Sequence, residues 1–466
     1  MAFTSIRPTK ALSVFSLVMI NVIAVASLRS LPFSAQFGTS LIFYYLLIAV
    51  LIFFPVALIT AELATTWPKS GGIYLWVREA FGPKCGFLVI WLQWVYNLVW
   101  FPAILAVIAT FCAYLLNPDG EANTTFLMLI CLLVFWLATI GNLFGMQVSG
   151  WISAVCSIVG TIIPMIGIMC LGIWWLFVEH NTPQISLTWG AIIPKITNVG
   201  DLALVSTLIF GLMGLEMSAV HVRDVQNPRH DYPVAIKYST IIILTTMLFG
   251  SLIIAMVVPA VELNLVTGVI QAFGYFCDAM HVSWILPSIV LAILIGSVGT
   301  LAAWIIGPSK GLLVAAQEDN LPKIFSKTNK NGVPVMILFL QGIIVSLLST
   351  LFILMPTAES AYVILTQLTS ILALLMYVLM FTAAIRLRYK QPDIVRPYKI
   401  PGGNFGMWVV GLLGGGSSFI AMMLGFLPPS QIEIADPQGY QLLLIFGVIL
   451  FCSPAFFIHR QGKIRS

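Results

Sequence analysis

The sequence predicts an all-α integral membrane protein of about twelve transmembrane helices, and three observations predict it. The first is composition: 60% of the 466 residues are hydrophobic and only 8% charged, with a mean hydropathy of +1.02. A soluble domain keeps about 25% of its residues charged to hold its surface in water, so most of this surface must face lipid. The second is the recurrence of apolar stretches of bilayer-crossing length, roughly 20 residues each. They fall at 11–31, 41–64, 86–116, 125–146, 150–178, 202–222, 236–260, 284–309, 334–355, 360–385, 405–427 and 440–458. The third is charge segregation between alternate connections. With the N-terminus inside, every basic residue except Arg29 and Lys195 falls on the cytoplasmic side. Asp119, Glu121, Glu179, Asp201, Glu262, Asp278, Glu359, Glu433 and Asp436 occupy the outer connections. A miscounted span would scramble that pattern from the error onward, so both termini are expected in the cytoplasm.

Taken in order, span 1 follows Arg7 and Lys10 and carries Ala24-Val25-Ala26, which imitates a cleavable signal peptide. The run is long enough to cross and further spans follow, so it reads as a retained first helix. The longest polar connections, 65–85, 223–235, 310–333 and 386–404, all lie on the cytoplasmic side, and neither an extramembrane domain nor a regulatory tail is expected. The seven cysteines sit singly, mostly within apolar runs, and no CxxC or Cys/His cluster exists. Buried free thiols are therefore the expectation, with no metal site and no cofactor. The net charge of +5 is dispersed over short loops, which excludes a nucleic-acid partner.

The halves correspond weakly. Span 1 has the small-residue stretch 24–27, and span 6, five helices later, has Gly211 and Gly214. Interrupted helices at matching places in two halves mark a transporter's binding site. The expected organisation is a single transporter domain over 1–466, with inverted repeats at about 11–178 and 202–385 and two further helices at 405–458.

Glu216 is the sharpest chemical feature, the one acidic residue well inside a span. An ionised carboxylate there costs roughly 2.5–3.5 kcal/mol on insertion scales. Gly211 and Gly214 let the backbone before it open, and opened backbone is tolerated only where it faces protein or a wet cavity. The functional reading is a carboxylate beside a substrate cavity, binding a cation or a proton. The plainer reading is a hydrogen bond that fixes a loosened helix. The pattern Gly307-Pro-Ser-Lys-Gly311 matches a GxSxG nucleophile, but it closes an apolar helix with no strand before it, and reads as a helix end. His221 reads as a loop-edge histidine. Gly411 and Gly415 form a close-packing face. Trp304, Tyr96, Trp100 and Tyr377 lie within spans and suit a cavity lining, with packing the default for each.

Residues 62–82 (ELATTWPKSGGIYLWVREAFG) and 396–403 (RPYKIPGG) resemble signatures of the amino acid–polyamine–organocation transporter superfamily. More narrowly, 214–221 (GLEMSAVH), 227–233 (NPRHDYP), 304–311 (WIIGPSKG) and 329–335 (NKNGVPV) are similar to the glutamate:GABA antiporter family. The resemblance covers essentially the whole chain. It implies the five-plus-five inverted-repeat fold of the bacterial leucine transporter with two extra helices, and amino acid exchange by alternating access. In that fold the broken spans 1 and 6 bind the substrate's carboxylate and ammonium through exposed backbone. The substrate-binding set this implies is Ile23, Ala24, Val25, Ala26, Gly211, Met213, Gly214, Glu216, Thr300, Trp304 and Tyr377, with Glu216 as the proton-coupling candidate.

The sequence departs from that family in three places. Thr300 stands where its members carry an acidic residue in span 8. Their span-1 Tyr-Glu-Tyr-Pro is Arg29-Ser-Leu-Pro32 here, and one span-10 tyrosine is Ala373. Transport of an amino acid follows, but glutamate/GABA exchange in particular does not. Proton-coupled uptake and a non-transporting sensor on the same fold are the alternatives, and no enzyme is expected. The expected setting is a bacterial inner membrane, with an amino acid, the bilayer and possible protons as partners and the oligomeric state open.

Overall fold

The computed structural model describes residues 12–68, 71–117, 123–144, 155–156, 158–354, 358–430 and 436–462. Arg7, Lys10, Lys69, Asp119, Glu121, Glu433, Lys463 and Arg465 lie outside the described residues, as do the side chains of His221, Arg223, Glu359 and Arg460. Among the described residues the secondary structure is helical throughout. The single β-type feature is a parallel bridge between Leu12 and Val225.

Eleven helices among the described residues are long and apolar enough to cross a membrane. They are span 1 (Val14–Ala35), span 2 (Gly38–Thr66), span 3 (Pro83–Leu116), span 4 (Thr124–Leu143), span 5 (Ile158–Phe177), span 6 (Val199–Ala219), span 7 (Pro228–Val257), span 8 (Ser283–Gln317), span 10 (Ala361–Lys390), span 11 (Gly403–Leu424) and span 12 (Pro437–Ile458). The expected ninth is present as the shorter apolar helix Val335–Ser349, followed after Thr350 by a single turn, Leu351–Leu354. Most of spans 3, 6 and 10 is buried, whereas spans 4 and 12 turn most of their surface outward.

Several spans are irregular for identifiable reasons. Span 2 widens into a π-helical turn at Ala49–Phe53 just before Pro55, and span 5 does the same at Ile158–Ile162 just before Pro164. Proline has no N–H and clashes with the carbonyl one turn back, and a widened turn takes up the misfit. Spans 1 and 6 are broken outright, five spans apart, and spans 3 and 8, also five apart, are the two longest at 34 and 35 residues.

Close approaches between spans follow glycine. A Cβ on Gly160 would lie 2.4 Å from the Cα of Gly296, so spans 5 and 8 touch backbone to backbone. Span 11 presents Gly411, Gly414 and Gly415 to span 10. A Cβ on Gly411 would lie 2.6 Å from Ile385, and one on Gly414 would lie 2.1 Å from the Phe381 ring. This is the packing face expected at Gly411 and Gly415, with Gly414 as its tightest point.

Span 1 ends later than its hydropathy suggests. The apolar run fades at Arg29, but Leu31–Ala35 forms a further helical turn with Pro32 in its first turn, where the missing N–H costs nothing. Arg29 is therefore not an outer-loop charge: it sits inside the span, between its two halves.

Candidate functional site

The breaks in spans 1 and 6 create the site. The first half of span 1, Val14–Val25, is closed by Ala26, whose N–H donates to the Val22 carbonyl at 2.7 Å. Ser27 is extended (φ −136°, ψ 121°), and a single tight turn, Leu28–Ser30, resumes the span. The Ser30 hydroxyl donates to the Ser27 carbonyl at 2.8 Å. Because the chain leaves helical geometry at Ala26, the carbonyls of Ile23, Ala24 and Val25 have no donor four residues on.

Span 6 breaks in the same way. Its helix Val205–Phe210 gives way to four non-helical residues, 211–214, and Gly214 adopts φ +126°, a conformation that residues with side chains rarely take. A tight 3₁₀ turn then begins at Leu215. Gly214 also has to be small. A Cβ there would lie 3.2 Å from Val25 Cγ2, 3.8 Å from the Ala24 carbonyl oxygen and 3.8 Å from the Trp304 ring. The two breaks therefore abut.

A narrow cavity opens where they meet. Spans 1 and 6 line it with Ile23, Ala24, Val25, Ser27, Arg29, Ser30, Phe33, Ser34, Thr207, Phe210, Gly211 and Met213. Span 3 adds Tyr96, Asn97 and Trp100, span 8 adds Thr300 and Trp304, and span 10 adds Tyr362 and Thr366. The Trp100 and Trp304 rings pack at 5.7 Å, and Tyr96 meets Phe210 edge-on at 6.3 Å. The Thr207 hydroxyl donates to Gln367 Oε1 at 2.5 Å, which fixes span 6 to span 10.

Of the expected site residues, Ile23, Ala24, Val25, Gly211, Met213, Thr300 and Trp304 face this cavity. Ala26, Gly214, Glu216 and Tyr377 do not line it. Glu216 lies behind the span-6 break, 2% exposed, where the Tyr377 hydroxyl donates to its Oε2 at 2.7 Å. The Gly214 N–H donates to that same hydroxyl at 3.4 Å. Glu216 Oε1 has no hydrogen-bond partner. Tyr377 thus links the unwound backbone to the carboxylate.

Sequence reasoning missed Arg29 as a site residue. Its guanidinium lies 4.3 Å above the Trp100 ring, and its Nε is buried with no hydrogen-bond partner. The signal available was a lone arginine between serines, just past a small-residue stretch and just before a proline.

A second set of charges closes the molecule at one end, near the exits of spans 2, 8 and 10. Glu62, 1% exposed, accepts from Arg388 Nε at 2.7 Å and Nη2 at 2.6 Å. Arg396 Nε lies 3.4 Å from Oε1, and the Ile400 N–H donates to Oε2 at 2.8 Å. Beside it, Arg78 and Tyr74 both donate to Glu318. Burial pushes the Glu318 carboxyl up, but hydrogen bonds from Arg78 and Tyr74 and the Arg78 charge outweigh it and hold the group below its ordinary range.

The fold and site together define a multi-pass α-helical membrane transporter. The family model described as "Amino acid permease" matches residues 11–451, and the chain belongs to that family. It is 47% identical over 446 residues to an uncharacterized transporter of Legionella pneumophila, covering 95% of each chain. It is 31% identical over 456 residues to a glutamate/gamma-aminobutyrate antiporter of Lactococcus lactis, covering 97% of this chain and 90% of the relative. A probable agmatine/putrescine antiporter of Lactococcus lactis is 25% identical over 449 residues, covering 94% and 92%. The family and these relatives are transporters, not enzymes.

Proposed function

We propose that this chain is an amino acid antiporter of a bacterial inner membrane, working by alternating access with both termini in the cytoplasm. One observation carries the reading: the breaks of spans 1 and 6 abut, at Val25 and Gly214, beside a cavity. The freed carbonyls of Ile23, Ala24 and Val25 suit the substrate's ammonium, and amides at the broken ends suit its carboxylate. The equal spacing of the two broken and the two longest spans supports a five-plus-five arrangement over 11–178 and 202–385, with 405–458 outside it. Relatives named as antiporters support exchange over one-way flow.

Labelled amino acid counterflow in liposomes carrying the purified chain tests this directly. Saturable exchange that requires internal amino acid is expected, and its absence for every amino acid would remove the transporter reading. Proton-coupled uptake is the second reading, favoured by the unpartnered oxygen of Glu216. It requires concentrative uptake into empty liposomes driven by a pH gradient alone.

A further inference from the structure

The cavity is charged in one sense only. Its lining includes Arg29 and no aspartate or glutamate. Glu216 sits behind the span-6 break, and Thr300 faces the cavity with a hydroxyl. Nothing on the protein side neutralises Arg29: among the described residues it forms neither an ion pair nor a hydrogen bond. What holds it is the face of Trp100, 4.3 Å away, which itself packs on Trp304. A ring face orients a guanidinium while leaving its planar donor edge free for another partner. A buried cation without an anion is costly, so this cavity is electrostatically complete only with an anion in it.

The position of Arg29 says which anion. The backbone freed at Ile23, Ala24 and Val25 precedes the break, and Arg29 follows it, two residues beyond Ser27 on the resumed turn. Under the transporter reading, on which this inference rests, the broken ends take the α-ammonium and α-carboxylate. Arg29 is then left for a group further along the substrate. We propose that Arg29 is the specificity-determining residue of the cavity: it pairs with a carboxylate on the substrate's side chain and turns away side chains ending in an amine. Ser27, Ser30 and Tyr362, which line the cavity beside it, supply further hydroxyl groups for the same carboxylate.

Counterflow in liposomes with the full chain tests this, comparing labelled glutamate and aspartate with their neutral isosteres glutamine and asparagine, and with putrescine. Charge-assisted hydrogen bonds of this kind correspond to roughly 10- to 100-fold in relative kcat/KM. Wild type is expected to favour glutamate over glutamine by that factor and to exclude putrescine. Arg29→Gln should bring the ratio of glutamate to glutamine exchange down to within about threefold of one, and Arg29→Lys should restore part of the preference. Equal exchange of glutamate and glutamine by wild type overturns the proposal without touching the transporter reading. So does an Arg29→Gln loss that falls equally on both substrates, which would assign Arg29 to the α-carboxylate or to packing. Exchange of no amino acid at all overturns the transporter reading, and this proposal with it.

Discussion

Glu62 and Glu216 are both buried carboxylates in the helical core, and their surroundings could hardly differ more. Glu62 has both oxygens engaged, by two arginines and a backbone N–H. Glu216 has one oxygen held by Tyr377 and the other held by nothing. The first is a structural tie, because its loss would strand two guanidiniums. The second is the kind of group that can change its protonation or its partner during a transport cycle. Burial alone therefore does not distinguish the two carboxylates, and what separates them is the completeness of their pairing.

Substitution can break this contrast at either end. Glu62→Gln should have the largest effect, destabilising the protein by about 3–5 kcal/mol, because a broken buried pair leaves its partner charge uncompensated. Thermal unfolding in detergent would read this as a large fall in midpoint; a midpoint near wild type would show that solvent reaches the pair. Tyr377→Phe comes next, at about 1–3 kcal/mol, since Glu216 loses its one side-chain donor. A displaced pH profile of exchange should accompany it.

Glu216→Gln should reverse the balance of the two effects. Unfolding is expected to move by no more than about 1 kcal/mol, because the amide still accepts from Tyr377, while the pH dependence of exchange flattens. An unchanged profile would assign Glu216 to geometry alone.

The smallest effect belongs to Glu318, which lies outside the spans. Its carboxyl is held below its ordinary value, so its pairing stabilises the fold above the unfolded carboxyl's pKa of about 4.3. That contribution is lost as pH falls through the lower folded value. The pair is partly exposed, at 27% and 39% for its two side chains, so Glu318→Gln should cost at most about 1 kcal/mol at pH 7. The difference from wild type should vanish near the acid end of the unfolding profile.

Much of this could be read from the sequence, and the limits are physical. The spans are legible because lipid demands long apolar runs, and the breaks because small residues and glycines gather at 24–27 and 211–214. The isolation of Glu216 inside a span marked it as buried. Its place behind the cavity was not legible, because that depends on how Tyr377 approaches from span 10. Arg29 was misread for a related reason. Charge segregation assigns every arginine to one side of the membrane or the other, yet this one faces a cavity and an aromatic ring. The Glu62–Arg388 pair joins positions 326 residues apart, and no local pattern announces a contact at that separation.

The pairing of Glu62 also bears on how the last two helices are attached. Arg396 and Ile400 belong to the connector that enters span 11, and both reach the same carboxylate as Arg388 of span 10. Spans 2, 10 and 11 are thus pinned to one rivet. Span 11 cannot tilt freely of spans 2 and 10, and a chain cut after Lys390 would strip the rivet of its backbone donor and one of its arginines. Span 11 is in this sense part of the frame, held to span 10 by its glycine face and to span 2 by the carboxylate of Glu62.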